Sequence, residues 1–346
     1  MTRIESEPPA PARGQREPQA PARGGGNRCR VSVVIPTYKR PEVARKAILS
    51  VLNQDLDPDR YEVIVVDSSP DDRVVSVVKE LREAAPCALR CYVKKAEGPG
   101  PSRNFGAQHA RGEFIALMDS DCFASPGWLR AGMGAFDDST IGLIQGRTLP
   151  QPDVPTGIFT RYVRVESENF IYECANLFYR RAAFEQAGGF GSEYNDDAYP
   201  SMGGEDVDLA WRVKRSGWRS GFCAAALVHH EVQPISMMRW VCIKPLYIWP
   251  LLTRNNSELR KFFPGRYFFD KAQGLFVLGL AGVALSWITP VFTVLFLPYF
   301  VFRASEPTKS LPGILRPIRA MAYFARDLTT FLVLMVASVR FRCLLL

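Results

Sequence analysis

From residue 31 onward the apolar positions follow two alternating rhythms. Val31-Ser32-Val33-Val34-Ile35, Tyr61 to Val66 and Phe114 to Met118 are short apolar, β-branched runs, the first closed by Pro36. Runs of this kind predict strands buried on both faces. Between them the apolar residues fall three and four apart, as Val43, Ala47, Ile48, Val51 and Leu52 after Pro41, and as Val74, Val77, Val78 and Leu81. That spacing predicts helices, the first opened by a proline in its first turn. A shorter strand is predicted near Leu89 to Val93, then the loop Gly98-Pro99-Gly100-Pro101 and a helix from Ser102 to Ala110. Further on come a helix over Pro126 to Phe136, a strand over Ile141 to Gln145, helices over Ala182 to Ala187 and Asp206 to Ser216, and a strand over Ala224 to Val228. Glycines stop both of those helices. Alternation of helices with two-sided strands specifies an α/β fold: a mostly parallel, doubly wound sheet with a nucleotide-sized crevice at the strand C-termini.

The last third changes character. Met237 to Leu252 interleaves aromatic residues with Arg and Lys, as segments at a membrane interface do. Gly274 to Phe302 is a run of 29 uncharged residues, about 43 Å as a helix against a hydrocarbon core of about 30 Å. Pro290 interrupts it, and basic residues flank both sides. A single span would put one basic flank outside, so a membrane hairpin bent near Thr289-Pro290 is favoured over one crossing. Met321 to Val339 carries Arg326 and Asp327 and is expected to be an interfacial or bundled helix. The expected organisation is a disordered basic tail over 1–29, a catalytic domain over 30–235, an interfacial segment over 236–272, and the hairpin with a C-terminal helix over 273–346.

Composition narrows the partners. The formal charge of +8 and pI near 9.1 fit an anionic surface or a phosphate-bearing substrate. The basic residues lie beside apolar, membrane-like stretches and not on an evident reading helix, which argues against nucleic acid. Eight cysteines without CxxC spacing read as reduced thiols of a cytosolic protein, and no leader of secretory type is evident at the N-terminus.

The chemistry centres on Asp119-Ser120-Asp121, at the C-terminal end of a buried strand. Extended backbone turns both carboxylates to one face, where one can reach a divalent cation and the other a ribose. An Asx turn ending the strand is the alternative.

With neighbouring segments this pair forms a constellation. Val31 to Arg40, Val65-Val66-Asp67-Ser68-Ser69, Arg103-Asn104-Phe105-Gly106 and Met118-Asp119-Ser120-Asp121 resemble the nucleotide-binding half of a GT-A glycosyltransferase of the family-2 type. Asn176 to Arg181, Gly188-Gly189-Phe190 and Gly204-Glu205-Asp206-Val207-Asp208-Leu209 resemble its acceptor half, so the similarity covers about residues 30 to 230. The resemblance implies that Pro36, Thr37 and Tyr38 pack on the nucleotide base, that Arg40 approaches the diphosphate, and that Asp67 accepts a hydrogen bond from the base. It further implies that Arg103 and Asn104 support the pocket, the alternative for Arg103 being a simple ion pair with Asp119 or Asp121, that Asp119 with Ser120 meets the ribose, and that Asp121 holds Mn²⁺ or Mg²⁺, with His229 a second ligand. Asp206 is the candidate general base, at a helix N-terminus that favours its ionised form; a plain N-cap is the structural alternative. Glu205 falls on the acceptor side, and Trp211, at helical spacing from Val207, is core or a wall of the acceptor pocket.

The expected activity is inverting transfer of a sugar from a nucleoside-diphosphate donor to a hydroxyl, with a lipid-linked or cell-envelope glycan as acceptor. The catalytic domain is expected at the cytoplasmic face of a membrane. Alternatives are a membrane scaffold that binds sugar nucleotide without turnover, and a nucleotidyltransferase. The latter needs a triphosphate cradle, and the prolines of 98–101 remove backbone donors from the one glycine-rich loop available.

Overall fold

The computed structural model describes residues 29–194, 203–241, 244–305 and 316–346. The expected N-terminal tail lies outside the described residues, apart from Cys29. In chain order the sheet-forming part comprises β1 (Val31–Thr37), α1 (Pro41–Leu52), β2 (Tyr61–Asp67), α2 (Arg73–Glu83), β3 (Ala88–Val93), α3 (Pro99–Gln108), β4 (Phe114–Leu117), β5 (Cys122–Ala124), α4 (Trp128–Gly134), β6 (Ile141–Pro150), β7 (Thr160–Arg161), β8 (Leu177–Arg180), α5 (Arg181–Gln186), α6 (Glu205–Arg215), β9 (Arg219–His230) and β10 (Gln233–Pro234). The C-terminal part comprises α7 (Met237–Val241), α8 (Trp249–Asn255), α9 (Lys271–Leu285), α10 (Leu297–Ser305) and α11 (Arg316–Phe341), with short 3₁₀ turns between them.

Eight strands form one sheet in the order β3-β2-β1-β4-β8-β6-β9-β5. Each of β3, β2, β1 and β4 runs parallel to its neighbour, and the residues of β1 and β2 are buried throughout, as their unbroken apolar runs require. The strand order reverses between β1 and β4, which opens a crevice at their C-terminal ends. Beyond β4 the sheet is mixed: β8 enters antiparallel between β4 and β6, and β5 closes antiparallel on β9. The parallel arrangement is thus concentrated in the first half.

Buried polar bonds hold the two halves in register. Asn176 Nδ2 donates to the carbonyls of Arg147 in β6 and Ala226 in β9, while its Oδ1 accepts from Trp128 Nε1 on α4. An asparagine satisfied on all sides in a core fixes geometry as well as lowering energy. Residues 274–302 do not form one helix. The run breaks after α9, turns through Ser286 to Pro290 and folds back against α9 through 290–296 and α10. Met321–Phe341, within α11, is long and apolar enough to cross a membrane.

Candidate active site

Four loops at the C-terminal ends of β1, β2, β3 and β4 enclose a cleft of about 1020 Å³. Pro36, Thr37, Tyr38 and Arg40 form one wall, Ser68 and the segment Lys95 to Arg103 another, and Asp119, Ser120 and Asp121 the end. The loop after β1 is held in an uncommon shape: Lys39 has φ +57°, and its N–H donates to Ser69 Oγ at 2.8 Å. Non-glycine residues in that region are rare and cluster at ligand sites. Asp67 is fully buried beside Thr37 in the strand register. Its Oδ1 accepts from the N–H and hydroxyl of Ser69, as an Asx turn would, but Oδ2 is buried without a partner in the protein. Thr37 Oγ1 is likewise buried and unpartnered. Thr37 lines the cleft and Asp67 lies directly behind it, next to the lining residue Ser68, so two orphaned polar atoms stand at or just beneath the cleft wall.

At the end of β4 the chain turns, with Cys122 N–H donating to Asp119 O at 3.1 Å, and enters β5. Pairing of Cys122 with His230 carries Asp121 to the last residues of β9. Asp121 Oδ1 lies 3.7 Å from His230 Nε2, and Oδ2 accepts from Gln233 Nε2 at 3.0 Å and from Arg40. Arg40 also pairs with Glu231. His230 Nδ1 is 2.7 Å from Glu231 O, which can only accept, so Nδ1 carries a proton and Nε2 is the nitrogen that faces Asp121. Burial, then the neighbouring Asp119 carboxylate, raise the pKa of Asp121, and His230 and Arg40 oppose the rise. Asp121, Cys122 and His230 bring ligand atoms within 4.8 Å of one another. Burial pushes the Cys122 thiol well above its ordinary value, which leaves it protonated. The fitting donors are the carboxylate and the imidazole, an O/N pair that suits Mn²⁺ better than Mg²⁺ and leaves positions for phosphate oxygens.

His230, not His229, therefore faces the acidic cluster. The cause is strand alternation: Ala226, Val228 and His230 share the buried face of β9, and His229 projects from the opposite one.

Arg103, almost wholly buried on α3, spans the two halves of the site. Its Nη2 donates to Asp119 Oδ1 at 2.5 Å and its Nη1 to Glu205 Oε1 at 3.4 Å. Asp206 follows, partly exposed in the first turn of α6. Gly204, at φ +96°, places that turn, and a Cβ there would stand 2.8 Å from Leu252 on α8. Asp206 Oδ1 accepts from the Val207 N–H at 2.9 Å and Oδ2 from the Cys174 N–H at 3.4 Å. Burial, then the Glu205 carboxylate, raise its pKa to about 7 against the opposing Arg103 cation. The helix N-terminus alone would hold it low; desolvation wins.

Two other expected residues stand elsewhere. Asn104 is absent from the cleft lining: its amide exchanges two bonds with the backbone of Phe190, at 2.8 and 2.9 Å, and so fixes the Gly188-Gly189-Phe190 turn. Trp211 is core. It donates to Phe170 O and contacts the ring of Phe262, four residues along the helix from Val207 and on the same inward stripe. Asp208, also buried, pairs with Arg212 and Asn256.

This sheet, with its switch-point cleft, is the fold of a mannosyltransferase from Pyrobaculum calidifontis solved with GDP-Man and Mn²⁺, at a TM-score of 0.53 and 19% identity over 91% of this chain and 87% of that one. The fold is thus GT-A, that of glycosyltransferases. Residues 32–190 match the model of glycosyl transferase family 2. Glycosyltransferase AglE of Haloferax volcanii is 24% identical over 59% of this chain and 67% of its own length. The pre-mycofactocin glycosyltransferase of Mycobacterium tuberculosis is 27% identical over 75% of this chain, which spans about half (52%) of that relative. Those curated relatives are glycosyltransferases.

Proposed function

We propose that this chain transfers a sugar from a nucleoside-diphosphate donor to a hydroxyl of a lipid-linked or cell-envelope glycan acceptor, with inversion and with a divalent cation. What supports it above all is Arg103, which links an acidic nucleotide-side cluster to a turn whose carboxylate is poised near neutrality. Thr37 and Asp67 offer their orphaned oxygens to a base that presents a ring N–H, as uracil, thymine and guanine do. Asp119 serves the ribose, with Ser120 beside it. Asp121 and His230 would hold the cation, which when bound neutralises charge on the departing diphosphate. On binding of donor and cation, Arg40 exchanges its contacts with Asp121 and Glu231 for diphosphate oxygens. Asp206 takes the proton of the acceptor hydroxyl as it attacks the anomeric carbon, and one displacement assisted by one base inverts that centre.

The acceptor end of the site rests on α8, through Gly204 and Leu252, and α8 packs against α11. That layering favours an acceptor presented from a membrane, with the domain on the cytoplasmic side where nucleotide sugars are made.

The nucleotide part is tested by calorimetric titration with UDP, GDP and dTDP. One of them binds the wild type, and Asp67→Ala weakens that binding by about tenfold to a hundredfold, the loss expected when a charged acceptor is removed from a buried N–H. Unchanged affinity in the variant would remove Asp67 from the base site.

A further inference from the structure

We propose that the C-terminal elements form one continuous lipid-facing surface lying on a single leaflet of an anionic membrane, and that α11 lies in its plane and does not cross it. This deepens the membrane part of the function proposed above, and its test requires no sugar transfer.

The first observation is that α11 is inside out. Met321, Leu328, Leu332, Met335, Val336 and Val339 recur at helical spacing along its exposed face. The opposite, buried face carries Asp327, Thr330 and Ser338 beside Leu334 and Ala337. A helix of a water-soluble domain does not turn its large apolar residues out and a charged one in. The inward polar groups are satisfied: Asp327 accepts from Arg303 at 2.6 and 2.7 Å and from Tyr299 at 2.7 Å, and Ser338 exchanges bonds with the backbone of Leu345 at 2.8 and 3.0 Å. Such an arrangement is stable where the exposed side meets hydrocarbon.

The second observation is that both ends of α11 are tied to the same body. Near its start, Tyr323 and Arg326 stand 5.2 and 4.9 Å from the Trp240 ring. Near its end, Phe341 meets Tyr247 at 5.5 Å, and Leu346 exchanges backbone bonds with Tyr267 and Phe269 at 2.7 and 2.5 Å. Leu334, Ala337 and Leu345 belong to the same core as Leu209 of α6. A crossing would require those partners to lie on opposite sides of the bilayer.

The third observation is the adjoining hairpin. Trp287, Ile288 and Val291 at its tip are 83%, 58% and 64% exposed, and Val294, Leu297 and Val301 continue the face along the return leg. The legs are short: α9, at 15 residues, is about 22 Å long, enough to enter one leaflet. At its foot the chain end meets segment 266–271, which gathers Arg266, Lys271, Arg340 and Arg342 on the exposed surface, with Asp270 capping α9. An apolar face with a basic foot is complementary to a leaflet of anionic headgroups.

The test applies full-length protein to preformed phosphatidylcholine vesicles with and without phosphatidylglycerol. The protein floats with the anionic vesicles. The double variant Leu332→Glu, Val336→Glu lowers the bound fraction by about tenfold or more while nucleotide binding stays intact. Trp287→Glu at the tip has the same effect. In intact vesicles an impermeant maleimide labels both Ala322→Cys and Arg342→Cys above the level of the parent chain, whose own free cysteines set the background. Labelling at one of the two positions only would show that α11 crosses and would overturn the proposal. Undiminished flotation of the glutamate variants would also overturn it, and so would conversion of a dimer to a monomer by those variants without loss of flotation, which would assign the face to a second copy of the chain.

Discussion

Asp206→Asn lowers sugar transfer by about 10²–10⁴-fold and leaves donor affinity unchanged. Asn keeps the side-chain shape, and its one oxygen can still accept from the Val207 N–H while only the long bond from the Cys174 N–H is given up, so the loss reports chiefly on proton acceptance. In the wild type, kcat/KM falls below pH 7 with the slope of one proton, because the base must be unprotonated to work and its pKa is raised to about 7. The same shift has a stability consequence. A folded-state value above the ordinary 3.8 means that the folded chain holds this proton more tightly than the unfolded one. The stabilisation is complete below about pH 3.8 and is lost as pH rises through about 7. Asp206→Asn escapes that loss: its Tm exceeds that of wild type by a few degrees at pH 8, and the difference shrinks toward pH 4. A twofold effect on transfer, with Tm unmoved at pH 8, would reduce Asp206 to a cap of α6.

The second large effect distinguishes adjacent histidines. Asp121→Asn lowers Mn²⁺-supported turnover by about 10³-fold, as loss of a metal-holding carboxylate should. His230→Ala raises the Mn²⁺ concentration needed for half-maximal turnover about 10- to 100-fold, and added metal recovers much of the rate. His229→Ala stays within about twofold of wild type. Manganese titration of turnover in the three variants separates these outcomes. If His229→Ala carried the metal phenotype and His230→Ala did not, the placement of His230 beside Asp121 would be wrong.

The first half of the fold was legible because its strands are long, β-branched and buried on both faces; β1, β2 and their helices lie within a few residues of where the apolar spacing puts them. The second half was harder for a physical reason. β8 has four residues and β5 three, too few for a period to show, and they make the antiparallel pairings that close the sheet. The acidic pair, Thr37 and Arg103 could be placed because each directly follows a predicted strand or opens a helix. His230 was missed although a signal existed: two positions on from Val228 in a strand lies His230, not His229. Register shifts in the β6–β9 pairing obscure which face of β9 turns inward. Trp211 and Asn104 could not be assigned from spacing, because an inward helical stripe does not say whether it meets core or substrate. For Asn104 the partner, the Phe190 backbone, is 86 residues away.

The most direct test of the account is release of nucleoside diphosphate from a panel of UDP-, GDP- and dTDP-sugars by detergent-solubilised protein supplied with membrane lipid extract, in Mn²⁺, Mg²⁺ or EDTA. The expected result is release from donors of one nucleotide, abolished by EDTA and by Asp206→Asn while the variant still binds donor. Donor binding without release in any of these conditions, or release of pyrophosphate in place of a nucleoside diphosphate, would contradict it.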